Sequence, residues 1–116
     1  MPRYVIADTS VLIHFHNINR LEILRNIYQE ITITPEISHE FGKPLPRWIK
    51  TIKVKDKKYQ ELINTQLDLG ESSAIAFAIE NEDPLLILDD LKARKLAKRI
   101  GLNFTGTLGV INKAKE

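Results

Sequence analysis

Tyr4-Val5-Ile6-Ala7 carries no charge and runs directly into Asp8, a pattern that predicts a buried strand ending on a carboxylate. Ser10 to about His16 then reads as a short helix carrying Val11, Leu12, Ile13 and Phe15, with Thr9 or Ser10 as its cap. Leu21, Leu24, Ile27 and Tyr28 recur at helical spacing and predict a second helix over about Arg20 to Tyr28. Glu30-Ile31-Thr32-Ile33-Thr34 alternates like a strand. Thr34-Pro35 pairs a capping hydroxyl with a proline at the first turn, so a helix runs from Pro35 to Phe41, where Gly42 ends it. Glu40 falls on the same face of that helix as Ile37 and Phe41.

The middle of the chain, Lys43 to Lys58, is the least regular part, although Thr51-Ile52-Lys53-Val54 alternates like an edge strand. A helix over about Asp56 to Leu67 presents Tyr59, Leu62, Ile63 and Gln66. A stronger one, about Leu69 to Asn81, turns Ala74, Ile75, Ala78 and Ile79 toward a sheet. Leu85-Leu86-Ile87-Leu88 is apolar on both sides, as befits the central strand of a parallel sheet covered by helices. It ends on Asp89-Asp90, and a basic helix follows to about Ile100, with Ala93, Leu96, Ala97 and Ile100 inward. Leu102-Asn103-Phe104 is a last short strand, and Thr105-Gly106-Thr107 starts a final helix. Alternating strands and helices give a three-layer α/β/α sandwich with a mainly parallel central sheet.

At 116 residues the chain is expected to form a single domain, residues 1–116. Its 43% hydrophobic and 28% charged residues argue against a disordered chain. The absence of cysteine excludes disulfides and thiolate metal sites. No apolar run approaches the roughly 18 residues of a membrane span, and no leader is evident, so a cytoplasmic protein with no membrane partner is expected. A net charge of +2 is too small to identify a partner, which leaves the placement of charges to decide.

That placement is suggestive for the acids. In open parallel α/β sheets ligands collect at the carboxyl ends of the strands. Asp8 and Asp89-Asp90 end strands, Glu71 stands near a helix start, and Glu40 leans inward from its short helix. Two carboxylates about 5 Å apart repel by roughly 3 kcal/mol at an effective dielectric near 20. A cleft holding several therefore calls for a neutralising cation, and hard oxygen donors without sulfur select Mg²⁺ or Mn²⁺. Metal-dependent phosphodiester hydrolysis is the chemistry that fits. Each acid also has an ordinary reading. Asp8 can be a solvated strand end and Glu40 a surface acid. Asp68 and Glu71 have the spacing of a capping box. One of Asp89 and Asp90 is an N-cap, leaving the other as candidate ligand. Thr9, Ser10, Thr105 and Thr107 are hydroxyls beside the proposed cleft, fit either to cap helices or to hold water or phosphate there.

Taken in order, these segments resemble a PIN domain of the compact subgroup related to the toxins of bacterial and archaeal toxin–antitoxin pairs. The resemblance rests on Val5-Ile6-Ala7-Asp8-Thr9-Ser10, Thr34-Pro35 leading to Glu40, Gly70-Glu71-Ser72-Ser73-Ala74-Ile75-Ala76, Leu86 to Arg94 and Thr105-Gly106-Thr107-Leu108-Gly109. It implies a Mg²⁺- or Mn²⁺-dependent ribonuclease whose metal-binding and catalytic acids are Asp8, Glu40, Glu71 and Asp90, with Asp89 competing for the last role. It also implies a homodimer and a small antitoxin protein that blocks the site. Leu21, Leu24 and Tyr28 are the candidate dimer face. Two features depart from the family pattern. The third acid is Glu at the very start of its helix, and the segment between Glu40 and Gly70 is short. A phosphatase of the haloacid-dehalogenase type wants a second Asp where Ser10 stands. A PIN-like module that holds RNA or protein without cutting is the alternative.

Basic residues rim these acids in the sequence. Arg47 and Lys50, with Trp48 available to stack on a base, crowd the irregular middle, and Lys92 and Arg94 lie on the helix after Asp90. They are the expected RNA contacts, against the ordinary readings of a solvated helix face and a packed tryptophan.

Overall fold

A computed structural model describes residues 1–116. Five strands form one parallel sheet, β1 (Tyr4–Ala7), β2 (Ile31–Ile33), β3 (Ile49–Thr51), β4 (Pro84–Ile87) and β5 (Asn103–Thr105), in the order β3-β2-β1-β4-β5. Seven helices connect and flank them: α1 (Thr9–Asn17), α2 (Glu22–Tyr28), α3 (Pro35–Phe41), α4 (Lys57–Asn64), α5 (Leu69–Glu80), α6 (Leu91–Arg99) and α7 (Thr107–Ala114). Right-handed crossovers from β1 leftward and from β4 rightward send their helices to opposite faces. The packing agrees for α5, which contacts α4 and α6, and for α2, which packs on α7, while α3 reaches across to α5. This is the expected α/β/α sandwich, and no helix is long and apolar enough to cross a membrane.

The middle strand is β1 rather than the Leu85–Leu88 segment. β4 lies between β1 and β5, and an interior position alone suffices to bury Leu86, Ile87 and Leu88 completely. The edge strand also begins earlier than its alternation suggested. Ile31, Thr32 and Ile33 pair with Ile49, Lys50 and Thr51. Beyond them the backbone N–H groups of Lys55 and Asp56 donate to the Glu80 carboxylate, which draws the chain off the ladder.

α5 is buried nearly all round, from Gly70 to Ala78, because it packs against α3 and α4 as well as the sheet. Leu69 at its start is exposed, and so is Ile79, expected to face inward. On α4 the inward face is Gln60 and Ile63, whereas Leu62 is 64% exposed and Tyr59 also faces outward; the helix ends at Asn64, short of the expected Leu67, which leaves Gln66 exposed beyond it. Polar pairing explains the rotation: Gln60 Nε2 donates to Glu36 Oε2, and Lys57 Nζ donates to the same oxygen at 2.9 Å. On α6, Ala93 and Ala97 are buried but Ile100 is not. The expected dimer face is also closed. Leu24 is 0% and Tyr28 7% exposed, and α7 covers their helix, so these residues serve the chain's own core.

One buried relay ties the α3 and α5 starts together. Thr34 Oγ1 caps α3 by accepting from the Ile37 N–H at 3.2 Å and donates to Ser73 Oγ at 2.6 Å. Ser73 Oγ in turn donates to the Gly70 carbonyl at 2.8 Å. Thr34→Ala removes a cap and the buried hydrogen bond that Ser73 Oγ accepts, an expected loss of about 2 kcal/mol in urea unfolding. A change below about 0.5 kcal/mol would show that the relay contributes nothing to stability.

Candidate active site

Each strand's carboxyl end delivers the chain into a helix at the same edge of the sheet, and the acids gather there. Asp8 follows β1 at the N-cap position of α1, yet its side chain caps nothing. Its own backbone is committed instead, with N–H donating to the Ile87 carbonyl and C=O accepting from the Leu12 N–H. The carboxylate, on a residue only 3% exposed, receives one long hydrogen bond from Ser10 Oγ at 3.4 Å. Neither Thr9 nor Ser10 is the cap expected from the sequence. Thr9 is the first helical residue, and its hydroxyl donates across to Glu40 Oε1 at 2.6 Å.

Glu40 therefore does not point into the core with Ile37 and Phe41. It is exposed, in the last turn of α3, and Thr9 holds it over the start of α5. That approach requires Gly70: a Cβ there would stand 2.1 Å from Glu40 Oε1 and 3.2 Å from Thr9 Oγ1.

The capping box is only half formed. Asp68 Oδ1 accepts from the Glu71 N–H at 2.8 Å, but the Glu71 carboxylate makes no reciprocal bond and faces the cleft. Asp8, Thr9, Ser10, Ile13, Glu40, Asp68 and Glu71 line one cavity of about 330 Å³, and no basic side chain is among them. Asp68 is the acid that sequence reasoning missed. Its cap role looked sufficient, but capping uses one carboxylate oxygen and leaves the other for the cleft.

The electrostatics follow from this crowding. Burial pushes the Asp8 carboxyl up to about 6, with Asp68 and Glu40 adding repulsion. Burial also raises Glu71, to about 7, and the charges of Asp68, Asp8 and Asp90 add to the effect. Both groups hold protons more tightly folded than unfolded. Their contribution to stability is therefore full below the ordinary carboxylate range and lost as pH rises through about 6 to 7. In EDTA the melting temperature is expected to fall by several degrees between about pH 5.5 and about pH 8. A flat or rising profile would contradict the crowding.

Asp89 and Asp90 divide differently from a simple cap-or-ligand choice. Asp90 caps α6, accepting from the Ala93 N–H at 3.0 Å through Oδ2, and is near enough to Glu71 to raise its pKa. Asp89 is fully engaged elsewhere. It accepts from the Thr107 N–H at 2.8 Å, from the Thr107 hydroxyl and from His14 Nδ1 at 3.0 Å. Burial raises its carboxyl, but the Thr107 hydroxyl and amide together with His14 outweigh that and hold it below its usual value. Asp90 is thus the acid of this pair with an oxygen that no hydrogen bond uses.

Thr105 and Thr107 line a neighbouring cavity with His14, Asp89 and Arg94 rather than the acidic one, and Gly106 caps α7. Arg94 forms no ion pair with Asp89; its guanidinium lies 5.0 Å over the Phe104 ring. Arg47 and Trp48 precede β3 and so stand at the amino edge of the sheet, opposite the acids, with Trp48 packed against the core. Lys50 is exposed on the edge strand, and Lys92 lies in the first turn of α6 close to Asp90.

An all-oxygen donor set without a counter-cation suits a hard divalent ion. No three of these side chains form a ready-made metal-binding group. Mg²⁺ does not require one, since it keeps several waters and is held through one or two carboxylates. The family model described as DUF3368, PIN domain, matches residues 4–116. No curated protein matches the chain.

Proposed function

The chain belongs to the PIN-domain family, whose members are generally nucleases, and on that premise we propose that it is a Mg²⁺- or Mn²⁺-dependent endoribonuclease. The observation that carries this is the cavity in which Asp8, Glu40, Asp68 and Glu71 meet with no basic side chain to offset them. Asp8, Glu40 and Glu71 would hold the ion, with Asp90 at the rim. When bound, such an ion supplies Lewis acidity toward a phosphoryl oxygen and makes nearby water a better nucleophile.

The protein's own groups do the positioning. Thr9 fixes Glu40 by a charge-assisted hydrogen bond. Asp68 anchors the first turn of α5, so Glu71 is presented from a rigid element rather than a loop. Ser10 Oγ lines the cleft beside Asp8 and donates to its carboxylate, which helps to orient it. Burial of Asp8 and Glu71 lowers the local dielectric and strengthens their hold on a cation.

A toxin role, with a small antitoxin protein closing the cleft and a homodimer as the working unit, extends this proposal on the strength of the sequence resemblance. Since Leu24 and Tyr28 are buried, such a dimer would use another face. The rival reading is a module that binds RNA or protein without cutting it. Calorimetric titration with Mn²⁺ separates the two: the enzyme reading expects one or two saturable sites that Asp8→Asn abolishes or weakens at least about tenfold. Equal heats from both proteins would favour the rival.

A further inference from the structure

We propose that the concavity between the α4–α5 connection and α6 is a phosphate-binding subsite for the nucleic-acid strand that enters the acidic cleft. This deepens the nuclease reading and rests on it. Lys92, Lys95 and Arg99 line this cavity of about 380 Å³ together with Thr65 and Gln66, over a floor of Leu67 and Leu96. No acid lines it, and none of the three cations takes part in an ion pair.

The three cations sit there for a reason that can be read along α6. Lys92, Lys95 and Arg99 recur at three- and four-residue steps, so they form one stripe along the helix, about 10 Å from first to last. Ala93 and Ala97 face the sheet, which leaves the stripe to solvent. Arg94 is turned away onto Phe104 and does not join it.

The cavity adjoins the acids through the chain itself. Leu67 precedes Asp68, the cap of α5 on the acidic cleft, and Lys92 follows Asp90, the cap of α6, by two residues. A phosphodiester approaching four carboxylates is repelled unless its flanking phosphates are held by cations. Three unpaired cations in a concave site one step from those carboxylates supply that hold, Lys92 and Lys95 as point charges and Arg99 as a fork that matches phosphate oxygens. The subsite is therefore expected to bind without regard to base identity.

The test is the salt dependence of binding of a fluorescein-labelled, unstructured RNA to Asp8→Asn protein in EDTA, where cutting is silenced. Each single-strand phosphate contact contributes about 0.7 to the slope of log K against log salt. Adding Lys92→Gln, Lys95→Gln and Arg99→Gln should lower that slope by about 2 and weaken binding at least about tenfold at low salt. The control is Arg25→Gln, Lys113→Gln and Lys115→Gln, which removes the same charge from exposed positions on and beside α2 and α7. It should leave the slope within about 0.5. Equal losses in both triple variants would mean diffuse charge and overturn the subsite. Unchanged RNA binding with loss of polyglutamate binding would also overturn it, assigning the cavity to an acidic protein. If wild-type protein cuts RNA while the cavity variant binds it undiminished, the subsite falls and the nuclease reading stands. If wild-type protein neither binds nor cuts RNA, both fall.

Discussion

Asp8→Asn is expected to lower RNA cleavage at least about 100-fold while raising the melting temperature of the cation-free protein by several degrees. The two effects share one cause. Asp8 is 3% exposed and bears a carboxyl that burial raises to about 6 despite the Thr9 backbone amide and a long hydrogen bond from Ser10. Above that pH the fold carries a buried charge that the Thr9 amide and the Ser10 hydroxyl offset only in part, at a cost on the order of 1–2 kcal/mol. Asn keeps the shape and removes the charge, so folding improves while the donor that would hold a cation is lost. Saturating Mg²⁺ should reverse the order of stability, because only the wild type gains from binding. Cleavage and melting temperature, each with and without the ion, check both halves. A variant less stable than wild type in EDTA would show that the Asp8 charge is already compensated.

Gly70→Ala is expected to separate activity from stability by a different route. The new methyl would stand 2.1 Å from Glu40 Oε1, so the exposed Glu40 side chain must swing away and release Thr9. The lost hydrogen bond costs about 1 kcal/mol. Replacing glycine within a helix recovers about 0.5–1 kcal/mol. Unfolding free energy should therefore move by less than about 1 kcal/mol, while cleavage falls about 10- to 100-fold because Glu40 has left its place. Urea unfolding beside a cleavage assay decides the matter. Full activity in a folded Gly70→Ala protein would remove Glu40 from the site.

Much of this site is legible in the sequence because strand ends and helix starts leave strong local signals. Asp8 after Tyr4–Ala7, the Thr34-Pro35 start and the acids after Leu88 all stand where patterning places them. What patterning missed depends on three-dimensional neighbours. Glu40 shares a helical face with Ile37 and Phe41, yet it ends on the surface because Thr9 draws it to the start of α5. Asp68 was concealed by its own cap, a local role that fully explains an Asp at that position. Apolar residues misled wherever polar pairing or a contact distant in sequence decided the packing. Gln60 displaces Tyr59 and Leu62 from the inner face of α4 through its bond to Glu36, and α7, remote in sequence, closes over Leu24 and Tyr28. Arg47 and Trp48 are basic and aromatic in the right proportion for RNA, but a residue before a strand and one after it lie at opposite edges of the sheet. Sequence distance does not show that.

The central claim is that the carboxylates of this cleft cut RNA through a divalent ion, and cleavage of a mixed, unstructured RNA tests it most directly. The reaction is run with Mn²⁺ or Mg²⁺, with EDTA, and with the Asp8→Asn variant. Metal-dependent cutting that disappears in EDTA and in the variant is the predicted result. Cutting that survives both, or no cutting by folded wild-type protein that has bound the ion, would contradict it.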